Sequence, residues 1–121
     1  MTSTSALRAD VDGRSTPEDP YEAYRRAEDF FQAGRPDVAA DLLIPALAAE
    51  PANVAALELL ARAYLGSAQL GRAERTLRRL VDLAPADAWA RFALARVLER
   101  RSLAEEAASH RRIAAALGLT G

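Results

Sequence analysis

Apolar side chains recur at helical spacing in six successive runs, with polar residues on the faces between them. The clearest pair spans residues 54–87. Leu57, Leu60, Ala61 and Tyr64 share one helical face, and the run breaks at residues 66–69. Ala73, Leu77, Leu80 and Val81 then share a second face, closed by Pro85. Upstream, Asp19-Pro20-Tyr21-Glu22 reads as a helix start. Asp19 caps, Pro20 suits the first helical position, and Glu22 completes a capping box. Tyr21, Tyr24, Ala27, Phe30 and Phe31 follow, up to Gly34. Pro36 opens a second run through Val38, Ala39, Leu42, Leu43, Ala46 and Leu47 that stops before Pro51. Pro45 sits inside that run, lacks a backbone N–H, and predicts a kink. Asn53 caps the third helix, to about residue 65, and the fourth covers about 70–83. Asp87 caps a fifth, with Trp89, Phe92, Leu94, Ala95 and Leu98. Ser102 and Glu105 read as a second capping box, opening a sixth helix that ends at Gly118.

The runs repeat. Ala27, Ala61 and Ala95 are 34 residues apart, as are Ala39, Ala73 and Ala107. Small residues at these two places let paired helices cross closely. Phe30, Tyr64 and Leu98 share a phase and supply bulk beside that contact, and Pro51 and Pro85 share another. A hairpin of this size cannot bury its apolar face alone, so stacked hairpins share one continuous core.

The pattern resembles the tetratricopeptide repeat. The middle unit carries the resemblance with Leu57, Leu60, Ala61, Tyr64, Ala73, Leu77 and Pro85. The first carries it with Ala27, Phe30, Gly34, Ala39, Leu43, Ala46 and Pro51, and the third with Leu94, Ala95, Leu98, Ala107 and Ala114. The resemblance implies an all-α fold: an α-α superhelix, or solenoid, of three helical hairpins and six helices. Residues 1–19 form a disordered tail in this reading. Residues 20–121 form the repeat domain, in units of about 20–53, 54–87 and 88–121. Several positions depart from the family pattern. The turn glycine of the first unit becomes Ala68 and then Ser102, Arg26 stands where Leu is usual, Arg111 replaces the apolar residue supplied by Leu43 and Leu77, and the last Pro is missing. The sixth helix then serves as its own polar cap, or its Leu103, Ile113 and Leu117 are covered by another chain.

In this family the first helices of the units line a concave groove that takes peptides or helices. Mapped by phase, the groove presents Tyr21, Tyr24, Glu28 and Phe31, then Glu58, Arg62 and Leu65, then Trp89, Phe92, Arg96 and Arg100. Aromatic residues and Arg are enriched at binding hot spots. Arg62 and Arg96 hold equivalent positions and could grip one carboxylate between them. Against that, Glu58 lies one turn from Arg62 and Glu99 is near Arg96, so each has a local partner. Chaperone-binding family members hold a C-terminal carboxylate with two Lys, two Asn and an Arg. Those places hold Tyr24, Glu28, Leu59, Trp89 and Ala93 here, so that activity is not expected. Phe30 and Tyr64 are expected in the core.

Composition narrows the function. Net charge is −1, with no global signal for nucleic acid. The charge is unevenly spread: residues 1–58 carry −6 and residues 59–121 carry +5. Every basic residue except His110 is Arg, a composition typical of GC-rich bacteria. There is no Cys, and His110 is the only His. A metal cluster, a thiol nucleophile or a cofactor loop is therefore not expected, and neither is an enzyme. His110 is expected to be solvated, and Glu105 and Glu106 to serve the helix start. No apolar run reaches bilayer length and the start lacks a secretory pattern, so a cytoplasmic protein is expected. Two functions remain. One is an adaptor or scaffold binding a peptide or helix of another protein, acidic groups included, in its groove. The other is a self-assembly module, forming a homodimer or larger homo-oligomer through the sixth helix or the charge-polar ends.

Overall fold

The structure is a computed structural model that describes residues 19–119. The tail expected over residues 1–19 lies, apart from Asp19, outside the described residues. The described chain forms α1 (Pro20–Gln32), α2 (Pro36–Ala49), α3 (Val54–Gly66), α4 (Leu70–Leu83), α5 (Ala88–Arg100) and α6 (Ala104–Ala116), with no strand among these residues. Consecutive helices pair as hairpins α1/α2, α3/α4 and α5/α6. The hairpins stack through α2 on α3 and α4 on α5.

Local chemistry repeats with the same period as the core. Asp19, Asn53 and Asp87 stand 34 residues apart, and each cap opens the first helix of a hairpin. Asp19 accepts from the N–H groups of Tyr21 and Glu22 at 3.1 and 3.3 Å. Asn53 accepts from Ala56 N and Asp87 from Ala90 N, both at 3.0 Å. These bonds satisfy donors that the first helical turn leaves open. The helix is unbroken across Pro45 and continues to Ala49.

The turn inside each hairpin repeats too. Gly34, Ala68 and Ser102 all have positive φ, at 81°, 58° and 66°. The next residue in each case donates its N–H back five positions along the turn: Arg35 to Phe30 O, Gln69 to Tyr64 O and Leu103 to Leu98 O, each at 2.8 Å. This is a Schellman closure, which favours Gly at the left-handed position. The expected capping box at Ser102 is therefore corrected. Leu103 is the N-cap of α6, no side chain caps it, and Ser102 ends α5 instead. Gly118, with φ 100°, closes α6 in the same manner as expected. Because a side chain at a left-handed position is strained, Ala68→Gly and Ser102→Gly are each expected to stabilise the fold by about 0.5–1 kcal/mol. In thermal melts the double variant should rise by roughly 5–10 °C, and an unchanged or lower melting temperature would contradict the strain.

Ala27, Ala61, Ala95, Ala39, Ala73 and Ala107 are all fully buried, so helix pairs meet at the small residues the repeat predicts. Leu43, Leu77, Leu80, Leu94, Leu98 and Val97 are the largest side chains with no exposure to speak of. Tyr64 is buried and Phe30 packs against this core. The ends differ from the middle. Ala56, Leu59, Leu60 and Ala63 of α3 are buried, as are Ala90, Ala93, Leu94 and Val97 of α5. The same phases of α1 hold Glu22, Arg25, Arg26 and Asp29, all exposed. Arg26 thus stands where its equivalents Leu60 and Leu94 meet the preceding hairpin, and α1 presents a charged face instead. At the other end Arg111 takes the phase of buried Leu43 and Leu77. It turns outward and donates to Glu99 at 2.6 and 2.7 Å, holding that carboxylate below its usual range.

Candidate functional site

The caps at Asp19, Asn53 and Asp87 place the first residues of α1, α3 and α5 in register. Their equivalent positions therefore share one face of the array. Two depressions open there. The first, about 350 Å³, is lined by Tyr24, Glu28 and Phe31 of α1 with Glu58, Leu59 and Arg62 of α3, among others. The second, about 260 Å³, is lined by Leu65, Trp89, Phe92, Arg96, Val97 and Arg100, with Leu70 and Ala93 at its sides. Ten of the eleven residues mapped to the groove from sequence fall in one or other of these. Tyr21 does not: it lies outside both, 65% exposed, with its hydroxyl accepting from Arg25 at 3.2 Å.

A stacked pair joins the two depressions. The Arg62 guanidinium carbon sits 3.9 Å from the Trp89 ring centroid, close enough for strong cation–π attraction. Arg62 also donates through Nε and NH2 to Glu58 at 3.1 and 2.7 Å. The local pairing with Glu58 is thus the one the structure adopts, and the Trp89 stack adds a contact between repeats. Sequence reasoning missed that contact because it links side chains 27 positions apart in different repeat phases.

The depressions differ in charge. In the first, the Tyr24 hydroxyl is hydrogen-bonded to Glu28. Burial first, then the carboxylates of Glu28 and Glu58, pushes the Tyr24 phenol above its usual range. Glu58 is matched by Arg62, which leaves Glu28 as the excess charge. The second carries Arg96 and Arg100 beside two aromatic rings. Arg96 lies 5.8 Å from the Phe92 centroid, and Arg111 approaches the same ring at 5.5 Å. Among the described residues neither Arg96 nor Arg100 forms a salt bridge. The surface is therefore polarised, with an acidic phenol-bearing end and a cationic aromatic end.

His110 departs from the solvated side chain expected. It lies where α6 meets α4 and α5 and is only 15% exposed. Its Nδ1 is 3.2 Å from Arg91 NH1, and its Nε2 is 3.9 Å from Glu106. Glu106 in turn accepts two bonds from Arg78, at 2.5 and 3.0 Å, so it does more than start a helix. Burial first, then the Arg91 charge, lowers the His110 pKa from 6.5. The unfolded chain then binds this proton more readily than the folded one. Stability from neutral His110 is complete above pH 6.5 and is lost as pH falls from there through the folded-state pKa. Urea melts from pH 8 to pH 5 should show this loss, and His110→Gln should flatten it before the carboxylates titrate. An identical slope in that variant would contradict the assignment. Among the described residues no group of three His, Cys, Asp or Glu could hold a metal, and no helix is long and apolar enough to cross a membrane.

A tetratricopeptide repeat family profile matches residues 30–92, a little over half of the chain. The chain belongs to the tetratricopeptide repeat family. Its fold is that of a protein-interaction module, built here from three stacked hairpins. Solved structures agree. A MamA double mutant from strain RS-1 is 27% identical with TM-score 0.78, over 84% of this chain and 57% of that one. MamA from Desulfovibrio magneticus RS-1, residue 41 to its end, is also 27% identical, with TM-score 0.76 and the same two coverages. The chain thus spans under two thirds of each of these two MamA chains. The second repeat domain of Spaghetti (RPAP3), solved bound to the HSP90 peptide SRMEEVD, is 20% identical with TM-score 0.77, over 84% of this chain and 94% of that one. At that identity it speaks to the fold alone. No curated protein matches the chain significantly.

Proposed function

We propose that the chain is a non-catalytic adaptor that holds a segment of a partner protein along α1, α3 and α5. The observation that carries this reading is the Arg62–Trp89 stack between two depressions of unlike charge. A segment crossing that stack places an apolar or aromatic side chain against Trp89, Leu65 and Phe92. It places a carboxylate beside Arg96 and Arg100, and a cation or hydroxyl donor beside Glu28. Guanidinium groups that lack a carboxylate of their own are suited to an acidic side chain or chain terminus. The fold takes a peptide in the Spaghetti domain, but the five clamp positions of chaperone-binding relatives hold Tyr24, Glu28, Leu59, Trp89 and Ala93 here. Leu59 and Ala93 are buried and Trp89 is occupied by Arg62, so another ligand chemistry is expected.

Selection from a random peptide library tests the reading. Sequences pairing an acidic residue with a nearby aromatic or apolar one should be enriched on the intact protein. Trp89, the only Trp, should report their binding through its own emission. On Arg96→Glu/Arg100→Glu protein the same selection should turn to basic sequences. Enrichment indifferent to that charge reversal would set the groove aside.

A further inference from the structure

We propose that the furrow between α2 and α4 pairs two copies of this chain about a two-fold axis that runs along the furrow. This surface is formed by the second helices of the hairpins and is distinct from the groove. Ile44, Leu47, Ala48 and Pro51 form one wall, Arg75, Thr76 and Arg79 the other, and Leu57 and Leu60 of α3 the floor; the space is about 480 Å³. Ile44 is 50% exposed, more than any other large aliphatic residue described. Arg79 donates to the Pro51 carbonyl at 3.0 and 3.2 Å and fixes the two walls together at one end.

The occupant is identified by charge. Asp37 and Asp41 lie on the same stripe of α2 as Ile44 and Ala48, and α4 presents Arg72, Arg75 and Arg79. Asp41 and Arg75 are 34 residues apart, so they stand at equal heights on neighbouring helices. Among the described residues neither forms a hydrogen bond or salt bridge. A two-fold axis parallel to these helices keeps height and exchanges sides. It sets α2 of each copy against α4 of the other, so that the two furrows face each other across the axis. Asp41 of each copy then meets Arg75 of the other, twice per dimer, as an isologous contact requires. The array's ends lack this match. The outer face of α1 carries Glu22, Arg25, Arg26 and Asp29, which sum to no charge, and Arg111 of α6 is already paired with Glu99.

Sedimentation equilibrium on the full chain tests this. The wild type should be a dimer. Asp41→Arg sets Arg against Arg, Arg75→Asp sets Asp against Asp, and each should weaken pairing by about tenfold or more. Mixed in equal amounts, the two variants should form a dimer again, because each supplies the charge the other lacks. Both positions are exposed, so far-UV spectra should be unchanged. A wild-type monomer at the highest soluble concentration, variants that dimerise like wild type, or a mixture that stays monomeric would each overturn the proposal.

Discussion

Trp89→Ala is expected to weaken binding of a library-selected acidic peptide by about 30-fold or more, the loss typical of a buried aromatic hot spot. Trp89 lines the second depression and carries Arg62 at 3.9 Å from its ring. Removing it deletes the apolar contact and frees Arg62 to follow Glu58 alone, so one change acts on both depressions. Arg62→Ala should cost less, about several-fold, because Trp89 keeps its place against the core and the losses are the cation–π contact and the pairing of Glu58. Trp89→Phe should lie between the two. Calorimetry is the suitable readout, since the Trp89 variants remove the intrinsic fluorophore. An affinity for Trp89→Ala within twofold of wild type would show that the ligand does not cross the stack.

Leu77→Ala is expected to destabilise the fold by about 3 kcal/mol, within the range for a leucine truncated in a packed core. Leu77 is fully buried on α4, in the middle hairpin, with hairpins on both sides. In a stacked array stability resides largely in the interfaces between neighbours, and a cavity in the central hairpin weakens both. The expected fall in melting temperature is about 10–20 °C. Leu83→Ala is the contrast: Leu83 is 42% exposed and its loss should cost under about 0.5 kcal/mol. Equal effects in the two variants would show that the core is not where the buried leucines place it.

The 34-residue spacing made most of the fold legible. Every phase-matched alanine is buried, and the three caps and three left-handed turns keep the same period. The misreading at Ser102 came from weighing a local motif above the period. Ser-x-x-Glu matches a capping box, but Gly34 and Ala68 at the same phase mark a turn that needs a positive φ. Phase also gathered the residues mapped to the groove along two depressions, because helices in register present equivalent positions on one face. It could not reveal side-chain partners. Arg62 on Trp89, Arg78 on Glu106 and His110 against Arg91 depend on rotamers and on how α6 settles on α4 and α5. Nor did local patterns show the furrow. Asp41 and Arg75 are unremarkable alone and become a pair only once α2 and α4 lie side by side.

Site-specific photo-cross-linking tests the central claim most directly. A photoreactive phenylalanine at Phe92 lies in the cationic depression, and one at Glu105 lies exposed on α6, outside it. In cells that make the protein, Phe92 should capture a second protein through a segment bearing acidic and apolar residues. Arg96→Glu/Arg100→Glu should abolish that adduct, and Glu105 should not yield it. No adduct from Phe92, or the same adduct from both positions, would contradict the groove as the binding surface.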